Sequence, residues 1–233
     1  MSDEREVLRA TAARLDAFVD AAFAFAVTLL VLGGGDAPST MAELTAVLLR
    51  APAFAAGFAL IALFWTAHRE FGRLTPRRDP LSTLLSLAVV FVVLLYVFPL
   101  RMLMDGFLYF VSGTGPSGGE ASLGSLSDLK ALYLVYGGGF LTLSLLYVAL
   151  FGHALRQGGG DPAKAEAARE WRATWSITAG AGVLSILLAF IVPLESAPSA
   201  PGFAYCAIPL TLALRGLWSK RRRPLAPGRA PPI

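Results

Sequence analysis

The order of polar and apolar positions is dominated by long windows that carry no charge. A helix needs roughly 20 apolar residues at about 1.5 Å each to cross some 30 Å of hydrocarbon. Six windows reach or approach that length: residues 21–35, 51–67, 80–100, 131–155, 173–194 and 196–214, with Glu195 as the only charge between the last two. They predict an all-α integral membrane protein with six transmembrane helices per subunit, over about 15–34, 50–72, 80–103, 128–156, 171–194 and 197–218. Residues 1–218 then form a single membrane unit and residues 219–233 a basic, Pro-rich tail. The first window is the shortest. It reaches a spanning length only if its helix takes in Phe18 and Asp20, which puts an ionisable side chain at or inside the membrane edge.

Lys and Arg are retained on the cytoplasmic side of membrane proteins, so their positions predict orientation. Arg5, Arg9 and Arg14 precede the first window; Arg69, Arg73, Arg77 and Arg78 separate the second from the third; Arg156, Lys164, Arg169 and Arg172 separate the fourth from the fifth; Arg215, Lys220, Arg221, Arg222, Arg223 and Arg229 follow the last. The alternate connections hold only Arg50, Arg101 and Lys130. Both termini are therefore expected in the cytoplasm, with the chain a multi-pass protein of the cell (plasma) membrane. The run 220–223 reads as a stop-transfer anchor beside anionic headgroups, and the prolines of residues 224–233 oppose a helix there. Residues 104–128, rich in Gly and Ser, read as a loop on the outer side. Gly158, Gly159, Gly160, Asp161 and Pro162 lack the Lys-Ser/Thr of a phosphate loop and read as punctuation. Gly158 ends the fourth helix, and Asp161-Pro162 starts a short amphipathic helix through Lys164, Glu166 and Arg169 toward Trp171 at the interface.

Composition agrees with a membrane class: the chain of 233 residues is 55% hydrophobic and only 15% charged, with a mean hydropathy of +0.62. The net charge of +4 is not gathered in one patch, which argues against a nucleic-acid partner. Cys206 is the only cysteine, so an intramolecular disulfide and a Cys-based zinc site are excluded, and it reads as a packed hydrophobe. Residues 1–14 alternate acid and base without an apolar core and do not read as a cleaved signal peptide. His68 and His153 fall on different helices with no HExxH or GxSxG pattern, so an enzyme is not expected, nor any cofactor, nucleotide site, metal or soluble substrate. Val135, Tyr136, Gly137, Gly138 and Gly139 loosely resemble a carbonyl filter but sit inside an unbroken apolar window. Close helix packing explains them, and Gly180 and Gly182 serve likewise.

The chemistry-bearing stretch is the first helix. At about 100° per residue, Ala21, Phe25, Thr28, Leu29 and Leu32 fall along one stripe, while Asp20 points about 140° away from Phe25. Several copies presenting this stripe to one axis would form apolar rings around a hydroxyl ring, a narrow path that gates by size and dewetting. Ordinary core or lipid contact gives the same stripe.

Arg14-x-x-x-Phe18-Val19-Asp20 resembles the Arg-x-x-x-Phe-Ser-Asp signature that opens the first helix of the transmembrane protein 175 family of potassium channels, and the Ala-rich segment to Thr28-Leu29-Leu30 continues the likeness. Trp65-Thr66-Ala67-His68 resembles that family's Trp-x-x-His element. Bacterial-type members carry one unit per chain and assemble as tetramers. The resemblance implies a homotetrameric, potassium-preferring leak channel whose pore is lined by the first helix, with no carbonyl filter. By spacing from Asp20 it makes Phe25, Leu29 and Leu32 the constriction and Thr28 the hydroxyl layer, with Arg14, Phe18, Asp20, Trp65 and His68 bracing the helices behind the pore. The implied partners are lipid, the permeant potassium ion and copies of the same chain. Three positions depart from the pattern: Val19 replaces the signature serine, Phe25 an aliphatic ring residue, and Arg69 a second histidine. Four Phe25 rings could plug the axis or offer their negative faces to a cation. Two further readings stand beside the channel: a proton-coupled transporter or proton pathway using Asp20 and His68, and a non-conducting structural homologue closed by Phe25. A contact between His68 and Asp20 would add a pH response near neutrality.

Overall fold

The computed structural model describes residues 2–32, 38–76, 78–112, 125–157, 161–208 and 211. Helices and the turns that join them make up those residues. In chain order the helices are α1 (Ser2–Leu32), α2 (Met41–Leu49), α3 (Ala51–Leu74), α4 (Pro80–Ser112), α5 (Leu126–Gln157), α6 (Pro162–Ile191) and the short α7 (Ala200–Phe203), followed by a 3-10 turn at Ala204–Cys206.

Local chemistry sets most of the boundaries. Helix α1 starts at Ser2, well before the expected 15, because Glu, Arg, Leu and Ala in its polar first half are strong helix formers whatever the solvent. Helix α2 is held by a capping box. The Thr40 hydroxyl accepts from the Glu43 N–H at 3.2 Å, and the Glu43 carboxylate accepts from the Thr40 N–H at 3.2 Å and the Ser39 N–H at 2.7 Å. The Ser39 N–H chiefly keeps the Glu43 carboxyl below its ordinary value. Helix α4 begins where Asp79 accepts from the Ser82 N–H at 2.8 Å. Helix α6 begins where Asp161 accepts from the Ala163 N–H at 3.0 Å, with Pro162 in the first turn. It then runs unbroken to Ile191, so the short amphipathic segment and the span expected from 171 are one helix. No proline interrupts that stretch.

The expectation of six spans is not met. Among the described residues four helices are long and apolar enough to cross a membrane: α3, the Pro80–Gly106 part of α4, α5 and α6. Arg14, Asp16 and Asp20 interrupt the apolar character of α1. The segment expected at 197–218 opens in turns and the four-residue α7, and its residues 209, 210 and 212–218 lie outside the described residues. So do the tail at 219–233, Gly158 to Gly160, and residues 113–124 of the loop expected at 104–128, of which 104–112 continues α4 and 126–128 opens α5.

The core lies where α3, α4, α5 and α6 meet. Phe64 is fully buried at its centre, stacked on Tyr147 and Trp175 at 6.1 and 5.5 Å and edge-on to Tyr96. The Tyr147 hydroxyl donates to the Phe64 carbonyl oxygen at 2.6 Å, satisfying a phenol that lipid and protein would otherwise leave unpaired. Glycines allow the closest approach. A Cβ on Gly139 would stand 2.5 Å from the Tyr96 ring and one on Gly137 2.9 Å from Ile186, whereas Gly138 and Gly180 face open space. The packing expected of all these glycines therefore falls on some of them only. Cys206 is exposed, not packed.

The described ion pairs between helices or loops lie toward the ends of the bundle. At one end Arg50 and Arg101 share Asp105, at 4.0 and 3.7 Å, and Lys130 lies over the Phe190 ring at 4.6 Å. At the other, Asp79 meets His153 at 2.9 Å. Burial disfavours the charged form of Asp79, but the Ser82 hydroxyl and N–H and the His153 ring outweigh it and hold the carboxyl at about 2.

Candidate functional site

Helix α1 packs through one edge. Ala12, Val19, Phe23, Ala26 and Leu30 are buried against the bundle, a spacing of three, four and seven that repeats the helical turn. The opposite face carries Ala21, Ala24, Phe25, Thr28 and Val31, all exposed, with Phe25 and Val31 at 55%. A single subunit thus leaves an apolar face with one hydroxyl row uncovered. The Thr28 hydroxyl donates to the Ala24 carbonyl at 3.0 Å, which leaves its lone pairs free to accept. Leu29 sits at the flank, partly buried against the core, and the Leu32 side chain lies outside the described residues.

Behind this face the residues expected to brace the helices separate into a bonded pair and three others. The Trp65 indole N–H of α3 donates to Asp20 Oδ1 at 2.8 Å, and the Arg69 guanidinium lies over the Trp65 ring at 5.5 Å. His68 is buried, and its Nε2 pairs with the Ser86 hydroxyl of α4 at 3.0 Å. Arg14 and Phe18 are exposed, Phe18 at 55%. Asp16, Asp20, His68, Arg69, Gly72 and Arg73 line an open cavity of about 290 Å³ at this end of the subunit.

Two partners were not legible in the sequence. Arg78, one of the basic residues between the second and third windows, has a side chain just 2% exposed, paired with Asp16 of α1. Ser86, a polar position within the apolar run of α4, is the partner of His68. The only sequence signal for the first pair is a second carboxylate one turn before Asp20. Among the described residues no group of three or more His, Cys, Asp or Glu is placed to hold a metal ion.

Apolar helices of spanning length, charges held at their ends and an uncovered face on α1 define a helical multi-pass membrane protein. Comparison with known proteins makes the class specific. Residues 14–99 match the family model described as the endosomal/lysosomal potassium channel TMEM175. A protein of Marivirga tractuosa named as a potassium channel is 36% identical over 145 residues, 58% of this chain and 57% of that protein. The chain thus spans less than two thirds of that relative's length. Among solved structures, a variant of the potassium channel MtTMEM175 in complex with a Nanobody-MBP fusion shares the fold with a TM-score of 0.74, over 90% of this chain and 94% of that one, at 24% identity. A TMEM175 homolog from Chamaesiphon minutus, described as a lysosomal potassium-selective channel, shares it with a TM-score of 0.58, over 88% and 98%, at 22% identity. Residues 14–99 are thus similar to the TMEM175 family, and the chain shares the fold of the two solved structures.

Proposed function

We propose that the chain is the subunit of a homotetrameric, leak-type cation channel of the plasma membrane that prefers potassium, with one channel unit per chain and a pore lined by α1. The observation that carries this reading is the uncovered face of α1, in which Phe25 is 55% exposed and Thr28 is exposed one turn away, opposite the edge that packs on the bundle. An apolar face with a single hydroxyl row suits a path in which ions are partly dehydrated at rings of side chains and recover some coordination at threonine oxygens. Phe25, Leu29 and Leu32 are the proposed rings and Thr28 the hydroxyl layer, Phe25 and Thr28 being the pair that the exposure pattern supports most directly. A monomer could not share the dehydration cost around an axis, so assembly of identical copies belongs to the mechanism.

The site chemistry favours this over a proton pathway through Asp20 and His68. Asp20 is engaged by the Trp65 indole and His68 Nε2 by Ser86, so neither is paired with the other in a relay. Ion flux into proteoliposomes, measured for potassium against sodium in the native protein and in Phe25→Ile, tests the proposal. Potassium-favouring flux in the native protein supports it; silence in the native protein with flux in Phe25→Ile makes Phe25 a plug; silence in both, with a tetramer present, identifies a structural homologue.

A further inference from the structure

We infer that Asp16 and Arg78 are positioning residues that fix the rotational setting of α1, and with it the direction in which Phe25 and Thr28 point. The inference rests on the reading of α1 as the pore helix. Arg78 occupies a socket built for a single guanidinium. Its Nη2 donates to Asp16 Oδ1, its Nη1 donates to the Thr75 carbonyl at 2.9 Å, and its plane lies over the Phe71 ring at 5.0 Å. Gly72 makes the room, since a Cβ there would stand 3.0 Å from Nη2. The Arg78 side chain is 2% exposed and that of Asp16 43%, so the buried guanidinium is balanced by a carboxylate that water still reaches.

The consequence concerns direction. The packed edge of α1 is made of Val19, Phe23, Ala26 and Leu30, and apolar contact of this kind holds distance closely but rotation only within the play of side-chain repacking. A guanidinium–carboxylate bond fixes both. Asp16 and Asp20 lie one helical turn apart, and each is gripped from a different place, the α3–α4 corner and the middle of α3. Phe25 lies about 180° around the helix from Asp16. Turning α1 about its axis would therefore move Phe25 and Thr28 by as much as it moves the two carboxylates, and the two bonds resist that turn.

The test uses one measurement of conduction and one independent of it. On a Cys206→Ser background, Ala22→Cys places a thiol on the half-buried flank of α1 and Ala21→Cys on its exposed face. In full-length protein, Asp16→Asn should speed labelling of Ala22→Cys by a water-soluble maleimide about threefold or more while Ala21→Cys stays fast. Arg78→Lys keeps the charge but not the planar fork and should give a smaller change of the same sign. In proteoliposomes, Asp16→Asn and Arg78→Gln should each change the potassium-to-sodium flux ratio, and the double variant should change it no further, the signature of one shared interaction. Unchanged labelling in Asp16→Asn and Arg78→Lys overturns the positioning role, as do additive effects in the double variant. Faster labelling in a protein that passes no ion even when native keeps the positioning role and rejects the channel reading.

Discussion

The indole N–H of Trp65 reaches Asp20 Oδ1 at 2.8 Å across 45 positions of sequence, joining α1 to α3 at the level where the apolar part of α1 begins. A carboxylate at that depth is costly unless something donates to it, and the indole is a donor that brings its own apolar body into the helix interface. Trp65→Phe keeps most of the ring and removes only the donor. Thermal unfolding in detergent should show a loss of about 1–2 kcal/mol, the range for a hydrogen bond to a charged group that retains some access to water. Asp20→Asn, which keeps an acceptor oxygen, should lose less; an equal or larger loss would mean that the charge and not the bond matters at this position.

The two central glycines of α5 should respond in opposite directions. Gly139→Ala forces a Cβ to within 2.5 Å of the Tyr96 ring, and that ring is itself buried and tilted against Tyr136 at 5.2 Å, so it has little room to yield. The expected cost is about 1–3 kcal/mol. Gly138→Ala meets nothing within 4 Å and should be neutral or stabilising by up to about 1 kcal/mol through helix propensity. Melting temperatures of the two variants, purified side by side, check the contrast.

Thr28 offers a separation of stability from transport. Its hydroxyl is exposed and bonds only to its own helix at Ala24, so Thr28→Val should leave unfolding within about 0.5 kcal/mol of the native protein. If the hydroxyl layer coordinates the passing ion, the same variant should lower the potassium-to-sodium flux ratio severalfold, and Thr28→Ser should retain it. Equal ratios in native protein and Thr28→Val would remove the hydroxyl layer from the mechanism.

Acid should weaken the α4 start. The Asp79 carboxyl is held at about 2, below its ordinary value of about 3.9, by Ser82 and His153 acting against burial. The unfolded chain therefore takes up this proton at a higher pH than the folded one. The contribution is complete above pH 4 and is lost as pH falls from about 4 through 2. Unfolding of the native protein and of Asp79→Asn, followed between pH 6 and pH 3, should show the native advantage shrinking in the lower part of that range. A constant difference would assign the effect of Asp79 to helix capping alone.

The sequence by itself determined the membrane class, the helical architecture and the composition of the α1 face, because hydrophobic length and a 3.6-residue period are properties of consecutive residues. It also carried the Arg14-to-Asp20 and Trp65-to-His68 resemblances. Four described helices and not six have the length and hydropathy of a span, because Arg14, Asp16 and Asp20 interrupt the apolar run of α1 and turns separate Ile191 from Ala200. Only tertiary structure decided which donor each buried polar group meets. His68 could pair with any polar group at its depth, and the crossing of α3 with α4 gave it Ser86; Asp16 and Arg78 are 62 positions apart and meet because the α3–α4 corner folds back onto α1. Gly138 and Gly139 are identical letters in one helix, and the position of Tyr96 on α4 alone crowds one of them and not the other. Partner choice and close approach depend on how helices cross, and a one-dimensional pattern holds the face of each helix without holding the angle between them.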